Sequence, residues 1–488
     1  MISRAAPTVA AVAALSLGTA MAATAQPASR DRRAAPDTIS APAIPVERYV
    51  LPNGLTVLLS PDRTAPIVAV TIWYHVGSKN ELPGRTGFAH LFEHMMFQGS
   101  EHAAKGDHIR TVEDAGGTMN GSTTNDRTNY YEVIPKNYLE TALWLESDRM
   151  GYLLPALGQD KLDNQRDVVK NERRLSVDNQ PYGRASEVVS AALFPASNPY
   201  SWPVIGSMAD LSAASVDDVK QFFRSYYAPD NAVLSICGDI DVAQAKVFVE
   251  RYFGSIPRGP DITRPTVAPA SLPSERRLVL EDPKSTLPRL SFAWPSVGGS
   301  SPDAAPLATL GRLLAQDRTS RLTKLLVYDR QLATQVTANG GSWENEGTFA
   351  ITVSPRPGVS LTQIENLVDT VLATLTAAPP SAAEVARTKT YAVVRTITGL
   401  EPVLSKAQEI ARGQTFFGDP LHYEVDLRET EAVTPEDVQR VARQYLTAGR
   451  VVLSMVPGGK PDMASKPAES STNVTIAPEM AGHGGQHQ

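Results

Sequence analysis

The sequence predicts an α+β protein made of two homologous repeats, each a largely antiparallel sheet packed with helices. An internal repeat is the first observation: residues 218–236 match residues 437–455 without a gap, so that Asp218 aligns with Asp437 and Ser235 with Ser454. The length of 488 residues leaves room for two full hydrophobic cores. Mixed helices and strands alone would equally allow a doubly wound parallel sheet, but a hairpin signal near the start of the first repeat favours antiparallel pairing.

The first 25 residues have the character of a secretory signal peptide. Arg4 gives a positive start, residues 5–25 are apolar and rich in small side chains, and Ala20–Ala22 and Ala23–Ala25 both offer an A-x-A cleavage site. A membrane anchor is the alternative, but the run is mostly alanine and contains a proline, which makes it a weak span. We therefore expect export to a bacterial periplasm, with no membrane attachment after signal cleavage.

Changes in composition divide the rest of the chain. A Pro- and Ala-rich stretch after the signal peptide is typical of a flexible leader, and a second Pro-rich stretch separates the two repeats. The C-terminal stretch is polar and rich in glycine. The predicted segments are a signal peptide at 1–25, a leader at 26–45, a first repeat domain at 46–257, a linker at 258–273, a second repeat domain at 274–458 and a disordered tail at 459–488.

Local patterns predict the first secondary-structure elements in order. Two apolar runs around Asn53-Gly54 predict a β-hairpin over residues 48–59, and the apolar residues 67–76 predict a further strand. Apolar residues then recur at helical spacing in three places. These predicted helices lie around His90, at Asn137–Met150 and at Gln159–Val177.

Composition excludes several functional classes. An apolar content of 42% and a charged content of 20% are typical of soluble globular proteins. The net charge of −6, without a basic tract, gives no reason to expect a nucleic-acid partner. Cys237 is the single cysteine, which rules out an intrachain disulfide and argues against a cysteine-ligated zinc site. Because it ends the apolar run Ala232–Cys237, we interpret it as a core residue.

Residues His90-Leu91-Phe92-Glu93-His94 form the most informative motif in the chain. At about 100° per residue, a helix places both histidines and the glutamate within roughly one quadrant. Two neutral imidazoles one turn apart can bind Zn²⁺, and the adjacent carboxylate can take a proton from water. Two surface histidines on an amphipathic helix are the alternative, but the flanking residues are apolar, where an unpaired polar side chain is costly. The order H-x-x-E-H therefore predicts a zinc-binding helix in the first repeat domain.

A catalytic zinc site needs a third protein ligand. Glu172 is the best candidate, because a helix over this stretch places it on a mostly apolar face where a charge needs a partner. That predicted face consists of Leu162, Gln165, Val169, Glu172 and Leu175. Pairing of Glu172 with Arg173 or Arg174 is an alternative that the spacing leaves open. Two histidines and a glutamate also suit Co²⁺ or Mn²⁺.

The motif and the distant glutamate together resemble the pitrilysin/insulinase-like inverzincin metallopeptidases, especially their processing-peptidase branch. The similarity extends from about Val46 to Gly458 and includes Gly117–Thr124 and Thr128–Tyr131. It implies one Zn²⁺ per chain with three protein ligands, which are His90, His94 and Glu172. It also implies that Glu93 is the general base of peptide hydrolysis.

The resemblance further implies a strand edge that pairs with an extended peptide substrate. Its residues in this chain are Asn120, Gly121 and Ser122. Strand pairing depends on the backbone of the substrate more than on its side chains. We therefore expect broad specificity toward unfolded peptides or small proteins.

Two departures from that family bear on activity. Members often carry a second glutamate seven residues before the ligand glutamate, and that place is Gln165 here. Self-sufficient members also use an Arg and a Tyr to grip the substrate carbonyl, and the corresponding places hold Val327 and Thr334. We therefore expect a heterodimer or homodimer in which a related chain supplies the Arg/Tyr pair. A non-catalytic zinc-binding subunit that holds peptides or supports such an assembly is the alternative.

The remaining histidines offer no second site by spacing. No histidine occurs between His108 and His422, so the second repeat cannot reproduce the motif. We expect that it shapes the cavity instead. His75, His102 and His108 have no partner at ligand spacing, and we interpret them as ordinary polar positions.

Overall fold

The computed structural model of this protein describes residues 41–264 and 267–471. The predicted signal peptide, the leader up to residue 40 and the tail from residue 472 lie outside the described residues. Within them, the fold has two halves, each with one sheet and its own hydrophobic core, which confirms the predicted α+β class.

The first half contains six strands and eight α-helices among the described residues. The strands are β1 (Glu47–Val50), β2 (Thr56–Pro61), β3 (Ile67–Tyr74), β4 (Thr118–Thr123), β5 (Thr128–Pro135) and β6 (Ala232–Gly238). The helices are α1 (Phe88–Met95), α2 (Asp107–Asp114), α3 (Leu139–Ala156), α4 (Gln159–Arg173), α5 (Ala185–Leu193), α6 (Met208–Ala213), α7 (Val216–Tyr226) and α8 (Val242–Phe253). The strand order is β1-β2-β6-β3-β5-β4, and β2–β6 is the one parallel pair.

Local sequence explains the elements that position the site. The predicted hairpin forms as β1 and β2, whose connection passes through Gly54 at a φ of +95°, a conformation that favours glycine. The helices predicted around His90 and from Gln159 form as α1 and α4. Beyond the predicted end at Met150, helix α3 kinks at Tyr152, whose φ of −128° and ψ of 20° are not helical, and a last short turn buries Leu153.

The second half repeats this plan with five strands and six α-helices among the described residues. The strands are β7 (Arg276–Asp282), β8 (Arg289–Val297), β9 (Ala333–Ser342), β10 (Glu346–Pro355) and β11 (Val451–Pro457). The helices are α9 (Ala304–Ala315), α10 (Leu361–Ala377), α11 (Ala382–Gly399), α12 (Val403–Phe417), α13 (Tyr423–Ala432) and α14 (Pro435–Tyr445). The strand order is β7-β11-β8-β10-β9, and β7–β11 is the parallel pair.

The internal repeat corresponds to equivalent elements in the two halves. Helices α7 and α14 both begin with a capping box, Ser215 with Asp218 and Thr434 with Asp437. Each helix leads to a fully buried strand, β6 or β11, which pairs in parallel with the strand near the start of its own half. The two halves are therefore homologous units.

Helix α12 of the second half packs on strands β3 and β6 of the first. Its Gln408 Oε1 accepts hydrogen bonds from Trp73 Nε1 and Asn129 Nδ2, both at 2.7 Å. Cys237 is buried in the same interface beside Ala407, as its interpretation as a core residue predicts. The second half thus covers one face of the first sheet.

The turn between β9 and β10 makes a second contact between the halves. The Trp343 ring stacks on Tyr200 with 5.0 Å between ring centroids. The Glu344 carboxylate accepts from His75 Nε2 at 2.6 Å and from the buried Lys79 ammonium. A turn of the second half therefore contacts the loop that precedes α1 through charged groups, and the segment between α5 and α6 through stacking.

Two predicted segment ends need correction. The leader was predicted to be flexible to residue 45, but Ile44 is buried and Pro42 O accepts a hydrogen bond from the Tyr423 hydroxyl. The tail was predicted to be disordered from residue 459, but Ser465 is buried on the second half and Ser471 N donates to Arg277 O at 3.0 Å. Backbone groups of both segments form hydrogen bonds with the folded halves, and composition alone does not reveal such contacts.

Candidate metal centre

Helix α1 is fixed at its start by a buried carboxylate. The backbone N–H groups of Gly87 and Ala89 donate to the two oxygens of Glu81 at 3.0 and 2.8 Å, satisfying amides that a helix start leaves unpaired. The buried apolar side chains of α1 are Phe88, Ala89, Leu91, Phe92 and Met95. With that face packed into the core, His90 and His94 remain partly exposed on the other side.

Helix α4 brings Glu172 to the histidines. Its buried line is Leu162, Gln165, Val169 and Arg173. The predicted continuation of this line to Leu175 is wrong, since the helix widens into a π-turn at Arg174–Asp178 and Leu175 is 66% exposed. The sequence left open that Glu172 pairs with Arg173 or Arg174. In the structure these arginines bind other residues: Arg173 binds Glu187, and Arg174 donates to Asn171.

The three predicted metal ligands lie together. The distance from Glu172 Oε2 is 3.7 Å to His90 Nε2 and 3.2 Å to His94 Nε2. A tetrahedral ion with bonds of about 2.1 Å separates its ligand atoms by about 3.4 Å, which lies between these two distances. The donor set of two imidazoles and one carboxylate therefore fits a single zinc ion in both chemistry and size.

The electrostatics of the three residues also suit a cation. Burial lowers the pKa of His90 to about 4, and the neighbouring His94 acts in the same direction, so His90 is neutral at physiological pH. The hydrogen bond with His94 lowers the pKa of Glu172 against the effect of burial, so this carboxylate is ionised. A neutral imidazole and an ionised carboxylate are the forms that bind metal.

Glu93 is a residue of α1, and its side chain lies against strand β4. Its Oε2 accepts a hydrogen bond from the Thr123 hydroxyl at 2.6 Å. A Cβ atom on Gly121 would lie 3.2 Å from both Cγ and Oε1 of Glu93, so only glycine leaves the carboxylate its full space. Burial raises the pKa of Glu93, although the Thr123 hydrogen bond opposes this. A raised pKa suits a carboxylate that must take up and release a proton.

The predicted substrate-edge residues lie on β4, which has β5 as its one neighbour within the described sheet. Since strand side chains alternate, Gly121 and Thr123 face Glu93, whereas Asn120 and Ser122 belong to the opposite face. There Ser122 Oγ donates to Asn129 Oδ1 at 2.8 Å. Of the three predicted residues, the structure brings Gly121 next to the metal-binding motif.

Sequence reasoning missed two residues near the motif. Thr123 contacts Glu93, and the alternation of β4 could have revealed it from Gly121. Arg127 Nη1 donates to Ser122 O and Oγ at 2.7 Å each, and its guanidinium lies 5.0 Å from the Trp73 ring centre. Arg127 thus ties the β4 edge to the β4–β5 turn, a contact across the hairpin that residue spacing does not predict.

A cavity of about 460 Å³ opens beside His94. Phe97, Met119 and Gln165 line it together with Asn120. Gln165, in place of the family's second glutamate, therefore faces the cavity next to a predicted ligand. In the second half, Val327 packs at its core and the Thr334 hydroxyl donates to Ser354 O.

His108 is not the ordinary polar position that spacing suggested. It is buried with Glu132 and Glu146, and one ligand-type atom from each lies within 4.8 Å of the others. Arg149 occupies the same cluster, where its Nε donates to Glu146 at 2.9 Å. The buried Arg149 guanidinium therefore already provides these carboxylates with a positive partner from the protein itself.

Comparison with known proteins agrees with this arrangement. Residues 56–201 match "Insulinase (Peptidase family M16)", and residues 213–391 match "Peptidase M16 inactive domain". The zinc protease PqqE of Helicobacter pylori is 27% identical over 369 residues, which cover 73% of this chain and 80% of that protein. The mitochondrial-processing peptidase subunit beta of Blastocladiella emersonii is 26% identical over 405 residues, which cover 81% and 85%.

A solved structure extends the similarity to the whole fold. The crystal structure of a protease from Helicobacter pylori aligns with a TM-score of 0.79 at 25% identity, covering 85% of this chain and all of that one. The insulinase model covers the H-x-x-E-H helix, whereas the inactive-domain model runs from the last elements of the first half into the second half. The chain therefore belongs to the insulinase-like peptidase family M16, whose members named above include a zinc protease.

Proposed function

We propose that this protein is a zinc metallopeptidase that hydrolyses peptide bonds of unfolded peptides or small proteins. The observation that carries the proposal is the convergence of His90, His94 and Glu172 from two helices, beside the buried Glu93. One Zn²⁺ per chain would occupy this donor set. Relatives named as zinc proteases support the reaction class.

The residues divide the chemistry between them. A zinc ion at the three ligands would polarise the scissile carbonyl and lower the pKa of the attacking water. Glu93 takes the proton of that water and returns it to the leaving amine. Thr123 orients the carboxylate through its hydrogen bond at 2.6 Å. The absent side chain of Gly121 keeps the approach to Glu93 open.

The edge of β4 is the proposed substrate platform. An extended peptide that adds to this edge would use backbone hydrogen bonds, with its carbonyl groups next to the Glu93 side of the strand. Asn120 and Ser122 would contact the substrate from the other face, and Arg127 would keep the edge in place. Binding through the backbone supports broad sequence tolerance.

We further propose that the protein acts as the metal-bearing subunit of a dimer. Val327 and Thr334 stand where self-sufficient members carry the Arg/Tyr pair, and one relative is by name a subunit of a processing peptidase. A different, related chain would supply that pair, because a second copy of this chain carries the same Val327 and Thr334. A non-catalytic, peptide-holding subunit is the second candidate, and Gln165 beside the cavity is the observation that favours it.

The proposed location is the bacterial periplasm. The apolar run at residues 5–25 with its A-x-A sites supports export, and these residues lie outside the described part of the chain. Within residues 41–264 and 267–471, no helix combines the length and hydropathy needed to cross a membrane.

The test is cleavage of a quenched fluorescent peptide by the purified chain, with zinc content measured in parallel. Glu93→Gln should keep the zinc and lose roughly 10²- to 10⁴-fold in kcat/KM, since general acid–base catalysis contributes about that much. Glu429→Gln, at an exposed position of α13, is the matched control and should leave both unchanged. Undiminished cleavage by Glu93→Gln would refute the assignment.

The same assay decides the partner question. Low activity of the chain alone, restored by a related chain with the Arg/Tyr pair, is the expected result. Full activity alone would refute the partner requirement. Peptide binding without cleavage under every condition would favour the non-catalytic candidate.

A further inference from the structure

Glu172 occupies a place where a helix does not by itself hold a side chain firmly. It lies in the last turn of α4, directly before the π-turn Arg174–Asp178, and its side chain is 42% exposed. At this junction the α-helical hydrogen-bond pattern widens into the π-turn, so regular helix geometry does not by itself fix the direction of the Glu172 side chain. A ligand at such a junction needs an anchor close by in the chain.

Arg173 has the geometry of that anchor. Its side chain is only 4% exposed, and its guanidinium grips Glu187 with two parallel bonds, Nη1 to Oε1 at 2.6 Å and Nη2 to Oε2 at 3.0 Å. The same Nη1 donates to the backbone oxygen of Gly206 at 3.1 Å. A bidentate pair with a third bond fixes both position and orientation.

Gly206 in turn touches the start of the helix that carries the histidines. It has a φ of +75°, and a Cβ atom there would lie 2.4 Å from Gly87 Cα. Gly87 is the N-cap of α1, and its N–H is held by Glu81. A continuous set of contacts therefore runs from Arg173, beside Glu172, through Gly206 to the backbone three residues before His90.

We propose that Arg173 is a positioning residue for the metal centre, which, with Glu187 and Gly206, sets the separation between Glu172 and the histidine pair. This inference rests on the proposed function, because it takes His90, His94 and Glu172 as the ligands. Arg173 itself does not touch the metal; its effect passes through the backbone of α4 to Glu172.

The shape of the guanidinium matters more than its charge. Lysine would keep the positive charge but, as a point donor, would lose the planar fork that binds both Glu187 oxygens. Residues that support metal ligands typically contribute 10- to 100-fold to metal affinity. We expect Arg173→Lys to weaken Zn²⁺ binding by roughly that factor.

The second half offers a closely matched control. Arg277 binds Glu365 with the same fork, at 3.0 and 2.6 Å, and its side chain is 6% exposed. It also donates to a backbone oxygen, that of Ser465. Arg277→Lys therefore removes the same kind of buried contact, but in the half that does not carry the histidines.

The experiment measures Zn²⁺ affinity of the full chain by competition with a chromophoric chelator. The visible spectrum of the Co²⁺-substituted protein reports ligand geometry, and thermal unfolding reports stability. Arg173→Lys should weaken Zn²⁺ binding about 10- to 100-fold and change the Co²⁺ spectrum. Arg277→Lys should lower stability by a similar amount with wild-type affinity and spectrum. If Arg173→Lys does not fold, Glu187→Gln, which keeps the carboxylate's shape, replaces it with the same expectation.

Three results would overturn the inference. Wild-type Zn²⁺ affinity and Co²⁺ spectrum in Arg173→Lys would show that Glu172 needs no anchor. An equal loss of affinity in Arg277→Lys would show a general effect of stability. A wild-type protein that binds no Zn²⁺ would refute the proposed function, and this inference with it, so the two failures are distinct.

Discussion

The buried cluster of Glu132, Glu146, Arg149 and His108 makes a quantitative prediction about stability and pH. Burial raises the pKa of Glu132 to about 7 and that of Glu146 to about 7, although Arg149 opposes both shifts. Burial also lowers the pKa of His108 to about 3, so this imidazole is neutral. Because Arg149 balances one of the two carboxylates, we expect the coupled pair to retain one proton that the two glutamates share.

The size of the effect follows from that proton. Glutamates in the unfolded chain ionise near pH 4.5, whereas the buried pair keeps its proton to about pH 7. Between these values the folded state binds one more proton than the unfolded state, so stability falls as the pH rises. At about 1.4 kcal/mol per pH unit, the free energy of unfolding falls by about 3 kcal/mol across this window.

Glu132→Gln should abolish this loss, because its amide needs no proton and can donate to Glu146. We expect the variant to match the wild type near pH 4.5 and to exceed it by up to about 3 kcal/mol at pH 8. Urea unfolding followed by circular dichroism at both pH values measures this difference. The contributions of other titrating groups cancel, because they are the same in the variant and the wild type. Glu113→Gln, an exposed position of α2, is the control. The reasoning would be refuted if the variant and the wild type differed in free energy of unfolding by the same amount at both pH values. A second bound divalent ion per chain would also refute it.

Two further variants test the site and the contact between the halves. Gly121→Ala places a Cβ atom 3.2 Å from Glu93. We therefore expect roughly a 3- to 10-fold lower kcat/KM with unchanged zinc content. A wild-type kcat/KM would show that this Cβ atom does not disturb the Glu93 carboxylate. Glu344→Gln removes the charge that binds Lys79 and should cost about 2 kcal/mol at pH 7, a limited loss because Asp126 remains 3.0 Å from Lys79. Burial opposes ionisation of Glu344, but its hydrogen bond with His75 prevails and lowers its pKa to about 2. The pair's contribution is therefore lost as the pH falls from about 4.5 toward 2, and thermal unfolding should show a smaller deficit at pH 3 than at pH 7.

The part of the site that the sequence predicts well is local. His90, Glu93 and His94 share one helical turn, so their common face follows from helix geometry alone. Glu172 was selected as a charge on an apolar helix face, whereas the structure puts Arg173 on the buried line of α4 and leaves the Glu172 side chain 42% exposed beside the histidines. The internal repeat likewise predicted two equivalent units, since α7–β6 and α14–β11 keep the same residue order.

The residues that support the site were not predictable in this way. Arg173 was considered as a partner of the adjacent Glu172, but its actual partner is Glu187, on a different helix. Gly206 is the other contact, and its role depends on a backbone approach to Gly87 that no spacing rule encodes. The predicted face of α4 ended wrongly at Leu175 because the π-turn rotates the chain, a local change that average helix periodicity cannot capture.

The second half contributes to the site without any ligand of its own. Gln408 accepts hydrogen bonds from Trp73 and Asn129 on neighbouring strands of the first sheet. Asn129 also binds Ser122 on the proposed substrate edge. A substitution at Gln408 should therefore act on peptide binding through Asn129 and Ser122 while leaving the metal ligands in place. A repeat without the zinc motif can therefore still have a structural role, because Gln408 on its helix α12 supports β5, the strand next to the proposed substrate edge.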